Sequence, residues 1–108
     1  MKVPAARILV IDDDPKVVDL LVTRLHEEGY EALGALTSDE GLKLVILAHP
    51  DLVLLDITMP GMNGVEVLKR IRSIAPATKV IMVTGSIDPL LASAALESPH
   101  ASRGSTNL

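Results

Sequence analysis

Short apolar runs alternate along this chain with longer segments in which apolar residues recur every three or four positions. Aliphatic runs of this length, bounded by polar or turn residues, are typical of strands that are buried on both faces of a parallel sheet. Four such strands are predicted, at Arg7–Ile11, 30–36, Leu52–Asp56 and Lys79–Val83. With helices between them, the β-α-β-α order predicts an α/β fold with right-handed crossovers.

Capping and turn residues set the ends of the predicted helices. Asp14 is a favoured N-cap residue and Pro15 a favoured first helical residue, while Gly29 is favoured just past a helix end. The predicted helices run from Pro15 to Gly29, from a cap at Ser38 or Asp39 to His49, from Gly64 to a stop before Pro76, and over 90–97.

The composition describes one small domain with an aliphatic core. The chain has 108 residues, of which 48% are hydrophobic, and Tyr30 is the single aromatic residue. A net charge of −4 argues against a non-specific nucleic-acid surface, and the lack of cysteine excludes disulfides and thiolate zinc sites. No apolar run approaches the roughly 20 residues of a membrane span. We therefore expect a cytoplasmic protein without a membrane or nucleic-acid partner.

Polar side chains stand at the ends of three of the predicted strands, as the last residue or directly after it. They are Asp12 and Asp13, Asp56, and Thr84. Strands of a parallel sheet end at one edge, where α/β proteins bind ligands, so these residues can meet there. Clustered carboxylates repel one another unless a cation neutralises them, and oxygen ligands without His or Cys favour Mg²⁺. An Asp beside Mg²⁺ is a competent nucleophile toward phosphorus, and a hydroxyl nearby can donate to phosphoryl oxygens.

Three segments carry a family resemblance: RILVIDDDP, PDLVLLDITMPGMNGVEVLKRIR and KVIMVTGS. They resemble the receiver domain of two-component response regulators, from Arg7 to about Ser98. The resemblance implies a flavodoxin-like, doubly wound parallel sheet, with strand order 2-1-3-4-5 in complete members.

The resemblance also implies a role for each acidic or hydroxyl residue. Asp56 would be the phosphoacceptor and a metal ligand. Asp13 would bind Mg²⁺ directly, and Asp12 would hold the ion partly through water. Thr58 would offer its backbone carbonyl to the metal, and Thr84 would be the hydroxyl that moves toward the phosphoryl group.

The family pattern stops near Ser98. Complete receivers continue with a fifth strand that carries a Lys, and with a fifth helix; this chain has no Lys after Lys79. We therefore expect a truncated or frame-altered receiver over 1–98, with strand order 2-1-3-4, and a disordered tail over 99–108. Strand four would then be an exposed edge, with Val80, Ile81, Met82 and Val83 open to pairing between chains.

The leading functional hypothesis is a signalling module and not an enzyme beyond its own phosphorylation and dephosphorylation. It would take a phosphoryl group from a sensor histidine kinase or a phosphotransfer protein and act through a downstream protein partner. One alternative is an Asp-nucleophile phosphatase, which is disfavoured because Thr58 stands where that class has an acid. The other is a non-phosphorylated or non-functional receiver fragment that acts, if at all, as an interaction module.

Overall fold

The structure is a computed structural model that describes residues 5–57 and 63–83. Its elements are β1 (Arg7–Ile11), α1 (Pro15–Glu27), β2 (Glu31–Ala35), α2 (Ser38–Ala48), β3 (Leu52–Asp56), α3 (Gly64–Ile74) and β4 (Lys79–Val83). The predicted bounds of β1, β3 and β4 are confirmed, and β2 is one residue shorter at each end than predicted. The predicted helix over 90–97 and tail over 99–108 lie outside the described residues.

The sheet is parallel and has the order β2-β1-β3-β4. This confirms the flavodoxin-like order expected for the first four strands. Within the described residues, β3 is the one neighbour of β4; the predicted lack of a fifth strand concerns residues 84–108, which the structure does not describe.

Both faces of the sheet are covered, which explains the uninterrupted apolar runs of the central strands. Alternate residues of β1 and β3 belong to two separate clusters: Leu9 and Val53 to one, Val10 and Leu54 to the other. The first cluster includes residues of α2 and α3. The second includes residues of α1. The helices therefore lie on opposite sides of the sheet, as a doubly wound fold requires.

The N-cap residue was predicted correctly for α1 but not for α2. Asp14 caps α1 as predicted, because its Oδ1 accepts a hydrogen bond of 2.9 Å from the N–H of Lys16. The cap of α2 is Thr37, whose Oγ1 accepts from the N–H of Glu40 at 3.1 Å. The prediction of Ser38 as cap was wrong because Ser38 is already the first helical residue. The alternative, Asp39, lies one residue further into the same helix.

The side chains of β4 are less exposed than predicted. Ile81 is buried, and Val80, Met82 and Val83 are half-buried. Val80 packs against the first cluster, and Ile81 and Val83 belong to or pack against the second. The side chains of an edge strand point to the sheet faces, and only its backbone faces outward. Self-association along β4 stays a prediction. No helix among residues 5–57 and 63–83 is long and apolar enough to span a bilayer.

Candidate functional site

Asp12 and Asp56 stand side by side at the edge where the strands end. Asp56 is the last residue of β3, and Asp12 directly follows Ile11, which pairs with Leu55. The N–H of Asp12 also donates to the carbonyl of Ala35 at the end of β2, at 3.1 Å. The sheet backbone thus fixes both acids at one edge.

Asp12, Asp13 and Asp56 form an acidic cluster. One carboxylate oxygen from each of the three lies within 4.8 Å of the others. Asp12 and Asp56 are 5% and 4% exposed, whereas Asp13 is exposed to solvent. The structure therefore brings together three of the residues that the sequence singled out, and their roles remain predictions. Thr58 and Thr84, the other two, lie outside the described residues.

The charge on Asp12 is disfavoured by its surroundings. Burial is the main cause that raises the pKa of Asp12 above its ordinary value, and the carboxylates of Asp56, Asp13 and Asp14 raise it further. The backbone N–H of Asp14 acts against this increase by donating a hydrogen bond of 2.9 Å to Asp12 Oδ1. The cluster thus concentrates negative charge in a partly water-excluded place, which a bound cation would relieve.

The donor set of the acidic cluster fits Mg²⁺. It offers carboxylate oxygens alone, and the exposed side of Asp13 leaves room for water molecules on the ion. Mg²⁺ prefers oxygen ligands and keeps several waters, whereas Zn²⁺ prefers Cys and His. Asp12, Asp13 and Asp56 are the described residues that could hold the ion.

The backbone beyond Asp56 is held by two elements. The N–H of Ile57 donates to the carbonyl of Val83 at the end of β4, at 2.9 Å. On the other side, Ile57 meets the start of α3, where Gly64 lies against it and the Asn63 side chain accepts from the N–H of Val65 at 2.8 Å. The sequence predicts Gly64 as a helix start, and its pattern does not reveal this contact.

A separate pocket lies at the opposite end of β4. Arg72, Pro76, Thr78, Lys79 and Val80 line it, and Lys79 is the first residue of the strand. Arg72 and Lys79 are positively charged and would repel a divalent cation. The acidic cluster is therefore the better candidate for metal-dependent chemistry.

Comparison with protein families agrees with the geometry of the acidic cluster. Residues 8–101 match the family model described as response regulator receiver domain. This match covers all seven elements except the first residue of β1, and it includes Asp12, Asp13 and Asp56.

Individual relatives are similar over much of this chain. Sporulation initiation phosphotransferase F of Bacillus subtilis is 39% identical over 84 residues, which are 76% of this chain and 68% of that protein. The DNA-binding response regulator MtrA of Mycolicibacterium smegmatis is 37% identical over 92 residues, covering 85% of this chain. The match spans 40% of MtrA, less than half of its length.

One solved structure combines a similar fold with a bound metal. The response regulator protein TrrA of Thermotoga maritima, in complex with Mg²⁺ and BeF, superposes with a TM-score of 0.69 at 44% identity. The match covers 75% of this chain and 70% of TrrA.

Proposed function

This chain belongs to the response regulator receiver domain family, and we propose that it accepts a phosphoryl group on Asp56 with Mg²⁺ at the acidic cluster. The observation that carries the proposal is the placement of Asp56, 4% exposed, with carboxylate oxygens of Asp12 and Asp13 within 4.8 Å. Three carboxylates this close together support the proposal that one acts as nucleophile while the group binds a charge-neutralising cation.

Each residue has a proposed role. Asp12 and Asp13 hold Mg²⁺ together with Asp56, and the backbone carbonyl of Thr58 completes the protein ligands. The hydroxyl of Thr84 donates to a phosphoryl oxygen once the group is attached. The roles of Thr58 and Thr84 rest on the family resemblance of the sequence motifs alone.

The proposed reaction is a phosphoryl transfer from a phosphohistidine. A carboxylate oxygen of Asp56 attacks phosphorus, and the new P–O bond forms as the P–N bond of the donor breaks. The electron pair of that bond stays on the imidazole nitrogen, which takes up a proton. Mg²⁺, when bound, supplies positive charge that stabilises the transferring phosphoryl oxygens.

The proposed partners are a histidine-phosphorylated donor and a protein that recognises the phosphorylated state. The donor is a sensor histidine kinase or a phosphotransfer protein of a two-component system. One relative is named as a phosphotransferase and another as a DNA-binding response regulator. Both names support a role in signalling by phosphoryl transfer. We place the protein in the cytoplasm and class it as a signalling module, not as an enzyme acting on other substrates.

Intact-mass spectrometry after incubation with acetyl phosphate tests the proposal. We expect a single phosphoryl adduct in the presence of Mg²⁺, and none when EDTA removes the metal. Asp56→Asn should abolish the adduct, whereas Asp19→Asn, which removes one exposed carboxylate from α1, should not. An adduct that persists in Asp56→Asn, or a folded wild-type protein without any adduct, would overturn the proposal.

A further inference from the structure

We propose that Gly64 is a positioning residue for Asp56. Because Gly64 has no side chain, α3 can begin directly against Ile57, and this contact fixes the backbone segment that carries the acid. The inference rests on the proposed function, since it concerns how well Asp56 is placed for Mg²⁺ and for phosphorus.

The contact leaves no room for a Cβ atom. A Cβ built on Gly64 would lie 2.6 Å from the Cα of Ile57, 2.7 Å from its Cβ and 2.8 Å from its Cγ2. All three distances are far below the usual 3.5–4.0 Å between packed carbon atoms. The nearest atom belongs to the main chain, so a change of rotamer at Ile57 would not remove the clash.

Neither partner of the contact is free to move alone. The N–H of Ile57 is hydrogen-bonded to the carbonyl of Val83 at 2.9 Å, which holds it to the end of β4. Behind Gly64, α3 packs through Val67 and Ile71, both 0% exposed, into the core. A side chain at position 64 must therefore displace α3 or the β3 end, and Ile57 transmits that displacement to Asp56 through one peptide bond.

Other close-packed glycines of the chain differ in what they touch. A Cβ on Gly34 would lie 2.3 Å from Val18 Cγ1, and one on Gly41 would lie 2.5 Å from Ile11 Cδ1. Both atoms are ends of side chains and not backbone. Gly34 also lies in β2 and faces α1, away from α3. It is therefore a matched control: an added methyl group would make a contact just as short, but with a side chain of α1 and not with the backbone beside Asp56.

The experiment compares Gly64→Ala with Gly34→Ala in the full chain. Both variants should unfold at lower denaturant concentration than the wild type. We expect Gly64→Ala alone to weaken Mg²⁺ binding by the folded protein, by about tenfold or more, since changes to groups that orient metal ligands typically cost about 10–100-fold in metal affinity or activity. It should also slow phosphorylation by acetyl phosphate at saturating Mg²⁺ and shift the backbone amide resonance of Ile57 in metal-free protein.

A second pair of variants tests the same contact if Gly64→Ala does not fold. Asn63→Ala and Thr37→Ala each remove a helix N-cap, the first from α3 and the second from α2. Each loss should destabilise its helix to a similar extent. Because α3 alone begins against Ile57, we expect Asn63→Ala to weaken Mg²⁺ binding several-fold and Thr37→Ala to leave it unchanged.

The outcomes separate the inference from the proposed function. Wild-type protein that binds no Mg²⁺ and gains no phosphoryl group would overturn the proposed function and with it the role of Gly64. Active wild-type protein with Gly64→Ala no weaker in Mg²⁺ binding than Gly34→Ala would overturn the inference alone. Equal Mg²⁺ affinity of Asn63→Ala and Thr37→Ala would count against it in the same way.

Discussion

The main-chain N–H of Asp14 donates a hydrogen bond of 2.9 Å to Oδ1 of Asp12. Asp14 is also the N-cap of α1, because its own carboxylate accepts from the N–H of Lys16. One residue thus starts the helix and orients a buried carboxylate of the acidic cluster. The sharp turn from β1 into α1 is therefore part of the proposed metal site.

Asp12→Asn should stabilise the metal-free protein at neutral pH. An acid whose pKa is raised by folding binds protons more readily in the folded than in the unfolded chain, so its contribution to stability falls as pH rises above the ordinary Asp pKa. Asn keeps the oxygen that accepts from Asp14 but carries no charge. Urea unfolding in EDTA should show the difference between variant and wild type growing from acidic to neutral pH. A variant less stable than the wild type at neutral pH would contradict this.

Mg²⁺ should stabilise the wild-type protein, and Asp13→Ala should reduce this effect. Free Mg²⁺ at a hundredfold excess over its dissociation constant adds about 2.7 kcal/mol to the free energy of unfolding. Thermal unfolding across a Mg²⁺ titration measures the increase. Asp19→Ala, which also removes one exposed carboxylate, should retain the full stabilisation. If Asp13→Ala and Asp19→Ala respond alike, Asp13 is not a ligand.

Arg7 should matter to stability more than its ion-pair partner Glu31. The guanidinium donates to Glu31 Oε2 at 2.7 Å and also to the carbonyl of Ala48 at the end of α2. The pair with Glu31 is exposed on both sides and is worth at most about 1 kcal/mol, whereas a hydrogen bond to a charged group contributes about 1.5–3 kcal/mol.

Denaturant unfolding of Arg7→Ala and Glu31→Ala tests this ranking. Arg7→Ala should lose more stability than Glu31→Ala, because it alone breaks the bond to α2. Mg²⁺ affinity should be unchanged in both, since Arg7 begins β1 at the edge opposite the acidic cluster. Equal losses of stability would show that the bond to Ala48 contributes nothing.

Substitutions at two helix ends should change the stability of the fold in opposite directions. His49, the C-cap of α2, has a φ of 49°, and Gly29, which follows α1, has a φ of 93°. Because a side chain disfavours this region, His49→Gly should stabilise the fold by roughly 0.5–1 kcal/mol, and Gly29→Ala should destabilise it by about 1–2 kcal/mol.

Chemical unfolding of these two variants isolates the backbone effect. Nothing lies within 4 Å of a Cβ built on Gly29, so steric contact is not involved there. A stabilising Gly29→Ala would show that its positive φ carries no strain.

The strands could be predicted from the sequence because both faces of the sheet are buried. Val53 and Leu54 point to opposite clusters and are 0% and 5% exposed, so no polar residue interrupts β3 until Asp56. The position of Asp56 at a strand end, and hence its meeting with Asp12, followed from the same pattern. Periodicity was less reliable on α1, where the apolar Leu20 is 55% exposed.

The cap of α2 carried a sequence signal that was missed. Thr37 and Glu40 have the spacing of a capping box, in which a threonine at the cap is followed three residues later by a glutamate. In the structure Thr37 accepts from Glu40, and Glu40 Oε1 accepts from the N–H of Leu36 at 3.3 Å. This spacing predicts Thr37 as the cap and Ser38 as the first residue of α2, as the structure has them.

The contact between Gly64 and Ile57 could not have been predicted from the sequence. A glycine after a turn-rich segment indicates a loop or a helix start, and Gly64 is the first residue of α3. How closely α3 approaches the end of β3 depends on the packing of Val67 and Ile71 into the core, which is a tertiary relation. Local patterns do not encode such distances.

Phosphorylation at Asp56 is decided by finding which residue carries the phosphoryl group. After phosphorylation with acetyl phosphate and Mg²⁺, borohydride reduces an aspartyl phosphate to homoserine, which peptide mass spectrometry assigns to one position. We predict homoserine at position 56 alone, and none without Mg²⁺. Homoserine at position 12 or 13, or an unmodified Asp56 in protein that carries the phosphoryl group, would contradict the account.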